Sequence, residues 1–301
     1  MIASPCIGVC RYDADTGWCI GCGRKKSEIA TWGMAAQADR HAVWNQLPER
    51  MRRLGIGMAR PPWTEPDVAR QALTRARRPG LWQVGIPGAS VHAELDDPDA
   101  RLSHGTLVAE RPGVRLRVRI DTQARVLAPV GTGISEPVSG EHCADAGNGR
   151  RMPSAVVWTV HRSLLPASGP ETVTELGEDE DPIDSNEGGW LFDLGVASPA
   201  VRVAVRVRDA QALSAVRSSL VGRSLQESEA EIRALRDRRG VAFVVENTHV
   251  RVEVNLCDGA SDGERGGALV EPLDGPAPPS PGPGFDVPEI CVPVATWQPR
   301  A

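Results

Sequence analysis

The chain has 301 residues, 41% of them hydrophobic and 24% charged, which suits a folded protein of two domains and argues against wholesale disorder. Its net charge of −5 conceals a basic head: residues 1–80 carry thirteen Lys/Arg against seven Asp/Glu, a net +6, leaving −11 for the remainder. No apolar run approaches the roughly 18 residues of a membrane span, and Met1-Ile-Ala-Ser-Pro5 has neither the basic segment nor the apolar core of a signal peptide, so a cytoplasmic protein with reduced thiols and no membrane contact is expected.

The first 24 residues carry the densest chemistry. Cys6, Cys10, Cys19 and Cys22 stand in the spacing C-x3-C-x8-C-x2-C. Four soft thiolates this close read as the ligand set of a metal centre, either Zn2+ or an iron–sulfur cluster. Two disulfides or four free thiols are the bland alternatives. Gly21 and Gly23 flank Cys22 and can take positive φ, so the backbone can turn tightly and aim N–H groups at the sulfurs. Asp13, Asp15 and Gly17 read as a turn between the two cysteine pairs. So short a segment cannot bury enough apolar surface to fold alone, and ligation would supply the missing stability.

Two short helices follow. In the first, over 27–32, Ser27 is the expected N-cap, with Glu28 favourable to the helix dipole and Ile29 and Trp32 on one face. The second, over 36–47, repeats apolar residues at Val43, Trp44 and Leu47 and is expected to stop at Pro48. Trp18, Trp32 and Trp44 could pack over the cysteines or simply form the core of the module. A basic run, Arg50-Met51-Arg52-Arg53, comes next. Arg60-Pro61-Pro62-Trp63 reads as the start of a linker, and 65–78 as an Arg-rich helix.

From Leu81 the pattern changes to strands: 81–86, then 114–120 with alternating apolar and basic residues, 155–160, 201–207, and a hairpin of 241–245 with 250–254 around Asn247. Helices are expected over 209–220 and 225–239. Residues 131–151 and the acidic 177–189 read as loops, 272–288 as an extended Pro/Gly-rich segment, and 290–294 as a last edge strand. Glu141-His142-Cys143-Ala144-Asp145 and Asn247-Thr248-His249 are weak site candidates, the latter more simply a turn. Cys257 and Cys291 have no placed catalytic partner, Gly131-Thr132-Gly133 lacks the context of a phosphate loop, and His41 reads as a surface residue.

Cys6-x3-Cys10, Asp13, Gly17, Cys19-x-Gly21-Cys22-x-Arg24, Glu28-Ile29 and Trp32 resemble the short bacterial proteins classed as domain of unknown function 1289, over about residues 3–54. That family carries a predicted iron–sulfur label, and the resemblance implies that Cys6, Cys10, Cys19 and Cys22 are its ligands. Lys25-Lys26-Ser27 stands where the family usually has Arg-Thr before the Glu, and Ala35 where a Ser or Thr usually caps the second helix. Further on, Leu81-Trp-x-Val-Gly-x-x-Gly-Ala89, Thr174-Glu-Leu-Gly177 with Asp179, and Leu191-Phe-Asp-Leu-Gly195 resemble domain of unknown function 6925, which implies no activity.

These readings predict an α+β protein: residues 1–56 a four-cysteine metal-binding knuckle with two short helices, 57–80 a linker with an Arg-rich helix, and 81–301 a larger, mainly antiparallel α+β domain. The expected function is non-catalytic metal binding in the cytoplasm, with a structural or redox-active centre and a basic surface offered to a protein partner. The alternatives are a single-electron redox protein, which needs an iron–sulfur cluster, and nucleic-acid binding through the basic head.

Overall fold

The computed structural model describes residues 3–86, 89–121, 125–130, 155–165, 170–179, 188–196, 198–235, 238–247, 249–255, 268–270 and 291–299. The expected loop at 131–151, Glu141 to Asp145, Cys257, Gly131 to Gly133 and the 272–288 segment lie outside them.

Helix α1 (Lys26–Thr31) is capped from Lys25, whose N–H donates to the Glu28 carboxylate at 2.8 Å. The cap is thus two residues earlier than expected, and Ser27 lies inside the helix, where its carbonyl accepts from the Thr31 hydroxyl. Helix α2 (Gln37–Arg53) runs through Pro48 for another turn. Trp44, Leu47 and Met51 are all buried at helical spacing with Arg40 and Arg50 beside them, and that shared face outweighs the one backbone bond that Pro48 cannot make. Arg50, Arg52 and Arg53 therefore form the last turn of α2, where cations suit the helix dipole.

Strand β1 (Met58–Ala59) follows, and then Pro61, Pro62 and Trp63 are buried rather than exposed as a linker would be. Helix α3 (Glu65–Ala76) starts where the Asp67 carboxylate accepts from the Thr64 N–H and hydroxyl.

The strands after α3 are β2 (Gly80–Ile86), β3 (Ala89–Leu95), β4 (Arg101–Ser103), β5 (Thr106–Arg111), β6 (Val114–Arg119), β7 (Arg125–Pro129), β8 (Val156–His161), β9 (Thr174–Asp179), β10 (Gly189–Asp193) and β11 (Arg202–Val207). Helices α4 (Ala210–Ser219) and α5 (Glu229–Leu235) precede β12 (Val241–Glu246), β13 (Val250–Val254), β14 (Ala268–Val270) and β15 (Cys291–Pro299). Two expectations shift here. The stretch read as an acidic loop begins and ends in the paired strands β9 and β10, and the last strand is nine residues long. The helix expected over 225–239 is a 3-10 turn at Gln226–Ser228 followed by the shorter α5.

Two compact units result, each built from separated parts of the chain. The first takes residues 1–72, 121–164 and 279–299; the second takes 73–120 and 165–278, with the last two residues of the chain. This partition does not follow the sequence borders at 56 and 80, because antiparallel pairing joins strands that lie far apart in the chain.

In the first unit β7 pairs with β1 and with β8, and β8 pairs with β15. Ile7, Met58, Leu127, Val157 and Cys291 form one buried cluster with Val9 against it, so the cysteine segment rests on this small sheet.

In the second unit an eight-stranded antiparallel sheet runs β4-β5-β6-β13-β12-β11-β10-β9, with the hairpin β2–β3 over β12 and β13 and α4 against β11. Its register aligns Val114, Val254, Phe243, Val205 and Phe192 across five strands. All five are buried, which is why β6, β11 and β13 carry an apolar residue at every second position. The expected hairpin turn also forms: Asn247 Oδ1 accepts the N–H groups of His249 and Val250, each at 2.9 Å.

Candidate functional site

The cysteine segment is a pair of tight turns laid on α2. Backbone bridges join Tyr12 to Cys19 and Trp18 to Lys25. Between them Asp13 closes its turn by accepting from the Thr16 N–H at 2.8 Å and the Thr16 hydroxyl at 2.7 Å, and Gly17 takes φ +66°. The loop from Cys19 to Arg24 returns on itself: Cys19 N–H donates to Arg24 O at 2.8 Å, and Gly23 N–H to Cys19 O at 2.7 Å.

Gly23 takes a positive φ of +71°, whereas Gly21 does not. Gly21 is required for room instead: a Cβ there would stand 2.7 Å from Val9 Cβ. Cys10 itself has φ +48°, an uncommon conformation for a side chain other than glycine.

The cysteines influence one another electrostatically as two neighbouring couples, Cys6 with Cys10 and Cys19 with Cys22, and Cys10 also feels Cys19. The Cys22 thiol donates to Cys19 and, together with the N–H groups of Gly21, Cys22 and Cys10, draws the Cys19 pKa down against the opposing effect of burial. That same donated bond, with burial, pushes Cys22 up, although the Arg24 guanidinium opposes it. Arg24 Nε donates to Cys22 Sγ at 3.4 Å and Gly8 N–H to Cys6 Sγ at 3.3 Å.

Among the described residues no group of three or more His, Cys, Asp or Glu side chains is already closed around one point as a metal ion would require. The donor chemistry nevertheless fits a thiolate-binding metal: four sulfurs of one segment, N–H donors at Cys6 and Cys19, and a guanidinium at Cys22.

The tryptophans do not share one cluster role. Trp44 is buried core, with its Nε1–H on Ala3 O at 3.0 Å. Trp32 carries the Arg24 guanidinium 4.7 Å from its ring centroid, and Trp18 carries that of Arg50 at 5.6 Å.

Most of the basic head is engaged internally, which composition could not reveal. Arg40 donates to Trp32 O at 3.1 Å and Gly33 O at 3.0 Å. Arg50 donates to Gly23 O at 3.3 Å and pairs with Glu28 at 2.7 Å. Arg52 and Arg53 pair with Glu49 on their own helix, and Arg70 with Asp67. Arg11, Lys25 and Lys26 stay exposed at the cysteine segment, near exposed Tyr12 and Ile20. Cys291 is buried, and His41 is half-buried on α2. No helix among the described residues is long and apolar enough to cross a membrane.

Sequence reasoning missed the residues that later strands bring to this site. Gly8, at φ +92°, lies under His161 and Arg125: a Cβ on it would stand 3.2 Å from His161 Nε2 and 3.3 Å from Arg125 Nη1. His161 ends β8 and Arg125 opens β7, so only the strand pairing places them beside residues 6–8.

Residues 4–51 match the family model described as "Protein of unknown function (DUF1289)", and residues 151–272 match the one described as "Family of unknown function (DUF6925)". No curated protein matches the chain, and no solved structure does.

Proposed function

We propose that this is a non-catalytic, cytoplasmic metal-binding protein. In this reading Cys6, Cys10, Cys19 and Cys22 hold Zn2+ or an iron–sulfur cluster, and Arg11, Lys25 and Lys26 with Tyr12 and Ile20 face a protein partner. The observation that carries the reading is four cysteines on one short segment, with N–H and guanidinium donors turned toward sulfur. Ligation displaces the thiol protons, since only the thiolate is a ligand. Zinc would supply structural cross-linking of the two turns; an iron–sulfur cluster would supply single-electron exchange. Nucleic-acid binding by the basic head is the weaker reading, because most of its arginines already serve internal carbonyls, carboxylates and rings.

Metal and sulfide analysis of the anaerobically purified full chain, with its visible spectrum, tests the proposal. Colour with iron and sulfide assigns a redox centre; one colourless zinc per chain assigns a structural one; neither metal removes the reading. Cys19→Ser is expected to abolish metal retention while the far-ultraviolet signature of the second unit persists. Unchanged metal content in that variant would show that the ligands are misassigned.

A further inference from the structure

The cations of the first unit are not all accounted for by carboxylates. Arg125, at the start of β7, is half-buried, and among the described residues it makes no ion pair. Its Nη1 is buried and, among the described residues, donates to no acceptor. Isolated buried guanidinium groups are unfavourable unless a negative charge or a set of acceptors lies nearby.

The groups that do lie nearby are thiols. Cys6 directly precedes Ile7, and Cys291 is buried in the same cluster as Ile7. Gly8 is the hinge of this arrangement. Its N–H is on Cys6 Sγ at 3.3 Å, and its missing side chain leaves the space into which Arg125 Nη1 and His161 Nε2 reach. His161 Nδ1 accepts from the Ser163 N–H at 3.2 Å, and Nε2 is the ring nitrogen turned toward Gly8.

Four cysteine thiolates around Zn2+ sum to a net −2, and around an oxidised two-iron cluster to the same. A protein that takes such a charge out of water needs fixed positive groups around it. We infer that Arg125, brought beside the Cys6–Gly8 turn by β7, is the built-in counter-charge of the four-cysteine metal centre, on the opposite cysteine pair from Arg24. It acts as a positioning and charge-compensating residue and touches no metal. The inference rests on the metal-binding reading above. It also ties the small sheet to the cysteine segment by charge as well as by the Ile7 cluster. A free phosphate or sulfate is the poorer occupant of this corner, because the metal-bound thiolates already bring the negative charge.

The test follows release of metal from the full-length protein to an excess of chelator, with Arg125→Gln and Arg125→Lys. Arg125→Gln is expected to release metal roughly tenfold faster, on the scale of one uncompensated charge near a half-buried ion. Arg125→Lys is expected to restore most of the retention.

A wild-type release rate in Arg125→Gln would overturn the inference while leaving the metal reading intact; a wild-type chain that purifies with no metal removes both. An Arg125→Lys variant that loses the metal as fast as Arg125→Gln, or loses the fold, would assign the arginine to packing and overturn it too.

Discussion

Arg50 sits in the last turn of α2 and reaches the knuckle by three routes: Gly23 O, the Glu28 carboxylate and the Trp18 ring. Glu28 in turn accepts the Lys25 N–H that starts α1. Burial works to raise the Glu28 pKa, but the hydrogen bonds from Arg50 and Lys25 and both positive charges outweigh it and hold it below the usual range. A carboxyl lowered in the folded state contributes stability that is complete above its unfolded value, near about 4.3, and is lost as pH falls through the folded value. Arg50→Gln is therefore expected to destabilise the first unit by about 1–3 kcal/mol at neutral pH, with the gap from wild type shrinking in acid. Urea titrations across that range check it, and a gap that widened in acid would contradict the assignment. In the sequence Arg50 was legible only as part of a basic run. Its partners lie 22 to 32 residues back in the chain, and no local pattern encodes that reach.

At the scale of elements, the strands best foreseen were those whose two faces differ. In β6, β11 and β13 every second residue is apolar and buried, so periodicity betrayed them. Two missed elements lacked such contrast: β9 is acidic and β4 is three residues long. Pro48 misled in the other direction, since a propensity argument sees the lost N–H and not the buried Trp44, Leu47 and Met51 stripe.

The charged residues of the well-read strands also form a structure of their own. Glu253 is buried on β13 and binds Arg117 from β6, Arg206 from β11 and Arg251 on its own strand, while Arg251 continues to Asp179 and Glu246. Beside it Leu191, Ala204 and Val244 form a small apolar cluster. Glu253→Ala would strip the shared carboxylate from three guanidinium groups, two of them buried. The expected loss is about 3–5 kcal/mol, as for breaking one side of a buried pair, read as a lower urea midpoint for the second unit. A loss under about 1 kcal/mol, in the range of exposed pairs, would mean that water already screens this network.

At the scale of the whole molecule, the chain makes each compact unit from separated segments. The part of the candidate site legible in the sequence is the local part: the four cysteines and their glycines. The part contributed by β1, β7, β8 and β15 was invisible, because residues 6–9 meet residues 125–128, 157–161 and 291 only through strand pairing. This makes the knuckle dependent on distant sequence.

Deleting residues 291–301 removes the β15 ladder from β8 and takes Cys291 out of the cluster beneath Ile7. That loss of apolar contact and of a whole ladder is expected to exceed about 3 kcal/mol, a large fraction of the stability of a unit this small. Amide exchange gives the local readout. The Cys19 and Gly23 N–H groups, hydrogen-bonded to Arg24 O and Cys19 O, should lose protection in the shortened chain, although both lie more than 260 residues from the deletion. Were those two amides to stay as protected as in the full chain, the knuckle would be self-sufficient and its sheet contacts incidental. Loss of protection would instead make the C-terminal strand part of what holds the cysteines in place.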